Sequence, residues 1–150
     1  MSTVQAQATA GHLPVRSRFA TANVNPRDVL IFPDGLPGYE TVREFVLLDI
    51  PDQAPLKVLH AVSGPEPCFL VIDPKAVMPS YRCELGASDR FRLGVEDDSG
   101  LVWLAVVIVA ENGEISINLR APIVLNPVRM TGRQVMPNAC VYPLHYVVGQ

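Results

Sequence analysis

Short runs of apolar residues separated by proline and glycine make up most of the chain. Val, Ile, Leu and Phe dominate runs of about strand length, and 14 prolines recur between them. No stretch carries the i, i+3, i+4, i+7 apolar stripe of a long helix. The pattern predicts an all-β barrel or sandwich, with strands at Asp28–Phe32, Glu44–Leu48, Leu56–Val62, Cys68–Ile72, Leu101–Ala110, Ile115–Leu119, Ile123–Asn126, Gln134–Met136 and Leu144–Val148.

One connection between strands is specified by its residues. Asn112 and Gly113 lie between two strongly apolar runs, and both tolerate the positive φ angles that a two-residue type I′ turn requires. Residues Trp103–Ala110 should therefore pair antiparallel with Ile115–Arg120. The first of these strands is apolar at nearly every position, which predicts a central strand covered on both faces.

Other local signals predict turns and a tail. Pro74–Met78 has proline at a possible first helical position, and Ser88–Leu93 could begin with Ser88 as its N-cap. Pro37-Gly38 suits the middle of a type II turn. Residues 1–14 are small and polar and are expected to form a flexible tail before one domain at 15–150.

Composition narrows the class of protein. The chain has 150 residues, a hydrophobic fraction of 49%, a formal net charge of −3 and a pI of about 5.5. A nucleic-acid-binding protein usually presents a basic face, so direct binding of DNA or RNA is disfavoured. The longest apolar run, Leu101–Ala110, is about half the length of a membrane-spanning helix, and the N-terminus does not resemble a signal peptide. We therefore expect a cytoplasmic protein without a membrane partner.

Three cysteines, Cys68, Cys83 and Cys140, give an odd count without C-x-x-C spacing. This favours free, buried thiols in a reducing compartment over a disulfide scaffold. Cys68 and His60 lie on adjacent predicted strands and could meet. Burial in the run that begins at Cys68 would nevertheless raise the pKa of its thiol and make it inert.

Motifs that carry catalytic or cofactor chemistry are absent from the sequence. The three histidines lack zinc-site spacing, and there is no Walker A loop, G-x-S-x-G elbow or G-x-G-x-x-G loop. We therefore expect no metal, no cofactor and no enzymatic activity. The one dense group of carboxylates is Glu96–Asp98, next to Asp89, and it is either a solvated loop or an acidic patch that meets a basic partner.

Several segments resemble, in order, those of one family. Residues Ile31–Glu40 read I-F-P-D-G-L-P-G-Y-E and are similar to the segment F-P-x-G-[IL]-P-G-[FY]-E. Residues Asn118–Asn126 read N-L-R-A-P-I-V-L-N and resemble N-L-x-A-P-[IV]-[VL]-[IL]-N. From about Asp28 to Val148 the chain resembles the FliW flagellar assembly factors, with weaker matches at Arg43–Leu48, Phe69–Tyr81, Gly132–Val135 and Tyr142–Leu144.

The resemblance implies a fold and a role. FliW proteins are compact, antiparallel β-barrel-like domains, so we expect an all-β single domain with one or two short helical turns. They bind flagellin and, when free, bind and allosterically antagonise the translational regulator CsrA, which relieves repression of flagellin translation. The alternative is a small-ligand- or flavin-binding β-barrel protein or enzyme, since such barrels have a similar rhythm of short strands.

The sequence also indicates residues that could contact flagellin or CsrA. In the first motif, Asp34, Tyr39 and Glu40 are expected to be exposed. In the second motif Pro122 cannot donate to a strand ladder and marks an edge or a bulge, and an unpaired edge could accept a partner segment. The predicted partner-contacting residues are Asp34, Tyr39, Glu40, Asp89, Glu96, Asp97, Asp98, Asn118 and Asn126.

Overall fold

A computed structural model describes residues 13–16 and 21–149. Within these residues ten strands and two short α-helices follow one another, with a single 3-10 turn at Pro26–Asp28. The helices are α1 (Pro74–Val77) and α2 (Ala87–Leu93). The strands are β1 (Leu13–Arg16), β2 (Thr21–Val24), β3 (Leu30–Ile31), β4 (Glu44–Asp49), β5 (Lys57–Ala61), β6 (Cys68–Ile72), β7 (Val102–Val109), β8 (Ile115–Asn126), β9 (Thr131–Gln134) and β10 (Tyr146–Val148).

Seven strands close into a barrel. Strands β8, β7, β6, β5, β4, β3 and β9 pair in this order, and β9 pairs again with β8 to complete the ring. All pairs are antiparallel except β3–β9, which is parallel through Ile31 and Thr131. Strand β10 adds to the first residues of β8, and β1–β2 form a separate hairpin. The expected all-β, barrel-like fold with two short helices is confirmed.

The barrel wall has a core on each side. Alternate residues such as Phe45 on β4 and Leu59 on β5 fill the interior, while Val46 and Leu48 of β4 pack outward against Val24 of the β1–β2 hairpin. Helix α2 covers a second outer cluster around Val124, and the C-terminal segment covers a third around Leu119. Because both faces of the wall are covered, the runs are nearly continuously apolar.

The strand predictions are largely confirmed, with informative differences. Residues Cys68–Ile72 match β6, and the two runs within 115–126 form the single long strand β8. The strand predicted at Gln134–Met136 lies earlier, at Thr131–Gln134. Strand β7 is central, but its end is not covered on both faces, because Ile108 and Val109 are exposed.

The β7–β8 hairpin has the predicted pairing but a different turn. Val109 pairs with Ile115, and Gly113 N donates to the carbonyl of Ala110. Of the turn residues only Gly113 has a positive φ, at 88°. The loop is therefore the three-residue type in which a turn is followed by a left-handed glycine, and the predicted type I′ turn is wrong.

A wide bulge interrupts β8 at the proline that the sequence singled out. Between Leu104↔Ile123 and Val106↔Asn118, one residue of β7 faces four of β8. The Oδ1 atom of Asn118 accepts from the backbone N–H groups of Arg120 and Ala121 and so holds the bulged turn. Pro122 lies in this bulge and not at an unpaired edge.

The second edge of β8 is occupied by other parts of the chain. Strand β10 pairs with Ile115–Ile117, and β9 pairs with Ile123–Asn126. Between them, Leu119 N donates to the carbonyl of Pro143, and Val135 N donates to that of Pro122. The predicted free edge for a partner segment is therefore wrong.

The helices begin and end with recognisable caps. The side chain of Asp73 accepts from Lys75 N and caps α1, with Pro74 at the first position. Helix α2 begins after Gly86, not at the predicted cap Ser88, and ends at Gly94 with φ 77°. None of the described helices is long and apolar enough to cross a lipid bilayer.

The flexible tail was predicted at residues 1–14. Residues 1–12 of the predicted tail lie outside the described residues, whereas Leu13 and Pro14 belong to β1.

Cys83 and Cys140 form a disulfide across a sequence separation of 57 residues, with their Cα atoms 5.1 Å apart. The prediction of free thiols is wrong for this pair, because the fold brings together two loops that sequence spacing does not relate.

Candidate functional site

The β3–β4 loop presents the first motif on the surface. Tyr39 N donates to the carbonyl of Leu36 across Pro37-Gly38, and Gly38 has φ 86°, as the predicted type II turn requires. A Cβ atom at Gly35 would lie 2.6 Å from the carbonyl oxygen of Tyr39, so only glycine fits there. The double turn holds the exposed side chains of Asp34, Tyr39 and Glu40 in place.

Glu40 and Tyr39 are each anchored within this loop. The carboxylate of Glu40 accepts from Gly38 N at 3.1 Å, and this hydrogen bond, with one from the backbone of Glu40 itself, lowers the pKa of the side chain. The ring of Tyr39 meets that of Phe69 edge-to-face at 5.9 Å. Both side chains are therefore partly ordered before any partner arrives.

Arg133 connects the loop to helix α2. Its guanidinium forms an ion pair with Asp34 of the loop and donates from Nε to Asp89 of α2 at 2.9 Å. Arg92 lies 3.5 Å from the same Asp34 carboxylate. Asp34, Glu40 and Arg133 also line a shallow cleft of about 220 Å³. The network joins loop, helix and β9 and leaves Asp89 without a free negative charge to offer.

The loop after α2 contains the dense carboxylates, which fall into two groups. Asp98 accepts from Arg90 Nε at 2.8 Å and from Leu85 N at 3.0 Å, so its charge is balanced inside the chain. Asp97 is exposed and accepts from the hydroxyl and backbone N–H of Ser99, which lowers its pKa. Glu96 and Asp97 are therefore the carboxylates of this loop that face solvent.

Large apolar side chains are exposed on helix α2, which precedes this loop, and on the β8–β9 turn. Phe91 on α2 is 86% exposed and Val128, in the β8–β9 turn, is 90% exposed. The two segments meet where the side chain of Asn126 donates to the carbonyl of Leu93 at 2.8 Å. We call Phe91, Glu96, Asp97 and Val128 the acidic–apolar surface. Exposed large apolar side chains next to charges are typical of protein-binding sites.

Asn118 and Asn126, the two asparagines predicted to contact a partner, form hydrogen bonds to backbone groups of the chain itself. Asn126 is only 4% exposed, and besides its bond to Leu93 it accepts from Val128 N and Arg129 N. Asn118 is half-buried and shapes the bulge. Their intrachain hydrogen bonds account for both side chains, and Asn126 has little surface to offer a partner.

The buried histidine pairs with the cysteine that the sequence placed near it. His60 and Cys68 face each other across β5 and β6, as expected from adjacent strands. The Nδ1 atom of His60 lies 2.6 Å from the carbonyl oxygen of Ala61. Because a carbonyl only accepts, this nitrogen carries a proton and acts as donor. Among residues 13–16 and 21–149 no group of three or more His, Cys, Asp and Glu side chains could hold a metal ion.

A groove lies at the mouth of the barrel. It has a volume of about 610 Å³ and an apolar floor that includes Leu47, Trp103 and Leu104. The cations Lys57, Lys75 and Arg82 line it, with Asp73 and Cys83. Lys57 forms an ion pair with Asp49, whereas Lys75 and Arg82 form none with any residue that the structure describes.

The structure thus brings some of the predicted residues together and separates others. Asp34, Glu40 and Asp89 meet around Arg133, and Glu96 and Asp97 lie beyond α2. Sequence reasoning did not find Arg133 as the connecting residue, because its partners are 99 and 44 positions away. It also did not find the exposed side chains of Phe91 and Val128, since a single apolar residue on a short helix or in a turn carries no periodic signal.

Comparison with known proteins gives one consistent result. The model of the family described as FliW protein matches residues 15–148. A flagellar assembly factor FliW of Moorella thermoacetica is 35% identical over 129 residues, which cover 84% of this chain and 81% of that protein. One of Geobacter sulfurreducens is 36% identical over 121 residues, which cover 80% of this chain and 76% of that protein.

A solved structure agrees in three dimensions. A crystal structure of the flagellar assembly factor FliW superposes with a TM-score of 0.83 and 25% sequence identity, covering 91% of this chain and 97% of that one. The fold and the sequence therefore point to the same group of proteins.

Proposed function

The chain belongs to the FliW family of flagellar assembly factors, and from this membership we propose that it binds flagellin and, when not occupied by flagellin, binds CsrA. Binding antagonises CsrA allosterically and relieves repression of flagellin translation. The chain acts in the cytoplasm, by binding and not by catalysis. The observation that carries the proposal is the family match over residues 15–148.

The acidic–apolar surface supports the choice of CsrA as a basic partner. CsrA is basic where it holds RNA, so Glu96 and Asp97 would attract it during encounter. Phe91 would supply apolar area that becomes buried on contact, since its ring is almost fully exposed in the unbound chain. Carboxylates placed beside the RNA-binding face of CsrA would also lower the positive potential of that face and weaken its binding of RNA phosphates.

The β3–β4 loop supports a second contact area. Asp34, Tyr39 and Glu40 are exposed and held by the double turn, so they would lose little conformational freedom on binding. We assign partner contact to these three residues together with the acidic–apolar surface. To Asp89, Asp98, Asn118 and Asn126 we assign the role of holding the surface in shape.

A charge-reversal pair tests the proposal. In the double variant Glu96→Lys/Asp97→Lys, affinity for CsrA should fall roughly tenfold at low salt, because two attractive charges become repulsive. The salt dependence of binding should weaken as well. The matched control is Glu111→Lys/Glu114→Lys, which makes the same change of charge at exposed residues of the β7–β8 hairpin. Titration calorimetry with purified CsrA measures both variants.

The possible outcomes distinguish a wrong assignment of the binding surface from a wrong proposed function. Equal affinity for CsrA in the two variants contradicts the assignment of the acidic–apolar surface. Absence of any binding by the unchanged chain, to CsrA and to flagellin, contradicts the proposed function itself. Retention of the thermal unfolding midpoint in both variants shows that the barrel is intact.

The groove at the barrel mouth favours one alternative. Its volume of about 610 Å³ lies in the range of small-molecule sites, and Lys75 and Arg82 could meet an anionic ligand such as a flavin phosphate. A yellow purified protein with flavin absorbance would support this alternative. A colourless protein that co-purifies with flagellin or CsrA supports the leading proposal.

A further inference from the structure

The disulfide between Cys83 and Cys140 fastens one surface segment to another. Cys83 belongs to the loop between α1 and α2, and Cys140 to the segment between β9 and β10. In a cytoplasmic protein, where the proposed function places this chain, a disulfide is unusual and is most often a redox-sensing one. A role for this disulfide other than permanent stabilisation is therefore considered.

The segment from Pro137 to Val148 is otherwise held by non-covalent contacts. The ring of Tyr142 stacks on that of Tyr81 at 4.6 Å, and its carbonyl accepts from Arg120 Nε at 2.8 Å. The segment ends in β10, whose three residues pair with the start of β8. Leu119 N also donates to the carbonyl of Pro143, and Tyr142, Tyr146 and Val148 pack on the cluster around Leu119. These contacts are non-covalent and lie near the surface, and the bridge adds a covalent attachment to them.

Small molecules can reach the bridge from one side. Cys140 is buried, whereas Cys83 is half-buried and lines the groove at the barrel mouth. Lys75 and Arg82 line the same groove with one carboxylate, Asp73, and with Lys57, which is already paired with Asp49. Cationic surroundings attract anionic reagents to the groove.

We propose that Cys83–Cys140 is a reversible thiol–disulfide exchange site for a small acidic thiol of the glutathione class, entered through the groove at the barrel mouth. The thiolate of the small molecule attacks Sγ of Cys83, the S–S bond breaks, and Sγ of Cys140 leaves and takes up a proton. A second small thiol then attacks the mixed disulfide at the sulfur of the bound molecule and releases Cys83 as a thiol. Two small thiols are oxidised to one small disulfide, and the protein disulfide is reduced by two electrons. The small disulfide reverses the reaction.

The surroundings of Cys140 accommodate both states of the bridge. The hydroxyl of Tyr81 donates to the carbonyl oxygen of Leu119 at 2.8 Å and keeps its proton, since burial raises the pKa of Tyr81. Its oxygen lies 3.6 Å from Sγ of Cys140 and can accept from the thiol that forms there. After reduction, the thiol of Cys140 has an acceptor in the carbonyl oxygen of Leu119 at 3.4 Å. Reduction therefore leaves the barrel core intact and frees the C-terminal segment to open.

Redox titration of the unmodified chain tests the exchange. The chain is equilibrated with buffers of reduced and oxidised glutathione, quenched with N-ethylmaleimide in denaturant, and weighed intact. One alkylated cysteine is expected at the oxidising end and three at the reducing end, with the glutathione adduct mapping to Cys83. Three alkylated cysteines at every ratio, one at every ratio, or an adduct on Cys140 overturns the proposal. No partner protein is used, so this result is separate from the proposed function.

Hydrogen exchange tests the opening of the segment. On reduction, amides of Tyr146–Val148 and of their β8 partners should exchange roughly tenfold faster or more, while those of β5 remain protected. The variant Cys83→Ser should exchange like the reduced chain, and the matched control Cys68→Ser should keep the redox response. Unchanged exchange in the reduced chain overturns the release; this comparison needs no variant, so it holds even where Cys83→Ser fails to fold.

The class of thiol is tested by charge. In Lys75→Glu/Arg82→Glu the rate of reduction by glutathione should fall roughly fivefold, because the small anion is no longer attracted. Reduction by 2-mercaptoethanol, whose thiolate carries one negative charge fewer than that of glutathione, should fall much less in the same variant. An equal effect on both thiols, or none on either, contradicts entry through the cationic groove.

Discussion

Gly132 tests whether the barrel closes as described, because it lies where β9 joins the ring. Its backbone is held by pairing with Leu125 of β8, and the flanking Thr131 pairs with Ile31 of β3. A Cβ atom added at Gly132 would lie 2.3 Å from Cζ of Phe32 and under 3 Å from both Cε atoms. The Phe32 ring is fully buried and meets Phe45 edge-to-face at 5.1 Å. Neither the backbone of Gly132 nor the ring of Phe32 can move away freely.

The variant Gly132→Ala should therefore be overpacked. We expect it to lose about 1–3 kcal/mol of unfolding free energy, a large part of the stability of a domain of this size. The urea midpoint should fall while the slope of the transition stays constant. In the double variant Gly132→Ala/Phe32→Leu the smaller side chain makes room, so the loss should be less than the sum of the single losses by about 0.5–3 kcal/mol.

Gly86→Ala is the matched control for this experiment. A Cβ atom at Gly86 meets nothing within 4 Å, and the residue has an ordinary extended backbone with φ −79°. Its unfolding free energy should stay within about 1 kcal/mol of the unchanged chain. A wild-type urea midpoint for Gly132→Ala, or strictly additive losses with Phe32→Leu, would refute the claim that this glycine–ring contact closes the barrel.

Three further predictions follow from single contacts. Asn126→Ala should lower the unfolding free energy by about 1–3 kcal/mol, because the buried carbonyl of Leu93 loses its donor; an unchanged urea midpoint would contradict this. Gly86→Ser should raise the unfolding free energy by roughly a few tenths of a kcal/mol by capping α2, which lacks a side-chain cap; a lower thermal midpoint would argue against it. The folded-state pKa of Glu40 is lowered, so its stabilising contribution is present above the ordinary carboxyl pKa and is lost as the pH falls through the lowered value. Glu40→Gln should therefore flatten the acid limb of stability against pH, and an identical limb would contradict the assigned hydrogen bonds.

Much of the barrel could be predicted from the sequence because its strands are marked locally. Apolar runs such as Cys68–Ile72 and the double turn at Gly35–Gly38 need only neighbouring residues to be recognised. The bulge could be located through Pro122, but not its shape, because the turn depends on how Asn118 folds back on its own backbone. The order of strands and the closure through β9 depend on long-range pairing. The sequence of a short, polar strand does not indicate which strands it pairs with.

The candidate site was predicted less well than the fold. Exposure of the β3–β4 loop followed from its turn residues, whereas the neutralisation of Asp89 and Asp98 by Arg133 and Arg90 depends on tertiary contacts. The disulfide was missed for the same reason, since Cys83 and Cys140 are 57 residues apart and no spacing rule connects them. Charge counted along the sequence therefore overstated the acidic patch, which the structure reduces to Glu96 and Asp97.

The most direct test of partner switching uses three purified proteins and one RNA. Labelled flagellin leader RNA is bound to CsrA, the chain is titrated in, and flagellin is then added while anisotropy reports bound RNA. The proposed function predicts that the chain releases RNA from CsrA and that flagellin restores the complex. RNA that stays bound to CsrA at every concentration of the chain, or release that flagellin does not reverse, would contradict it.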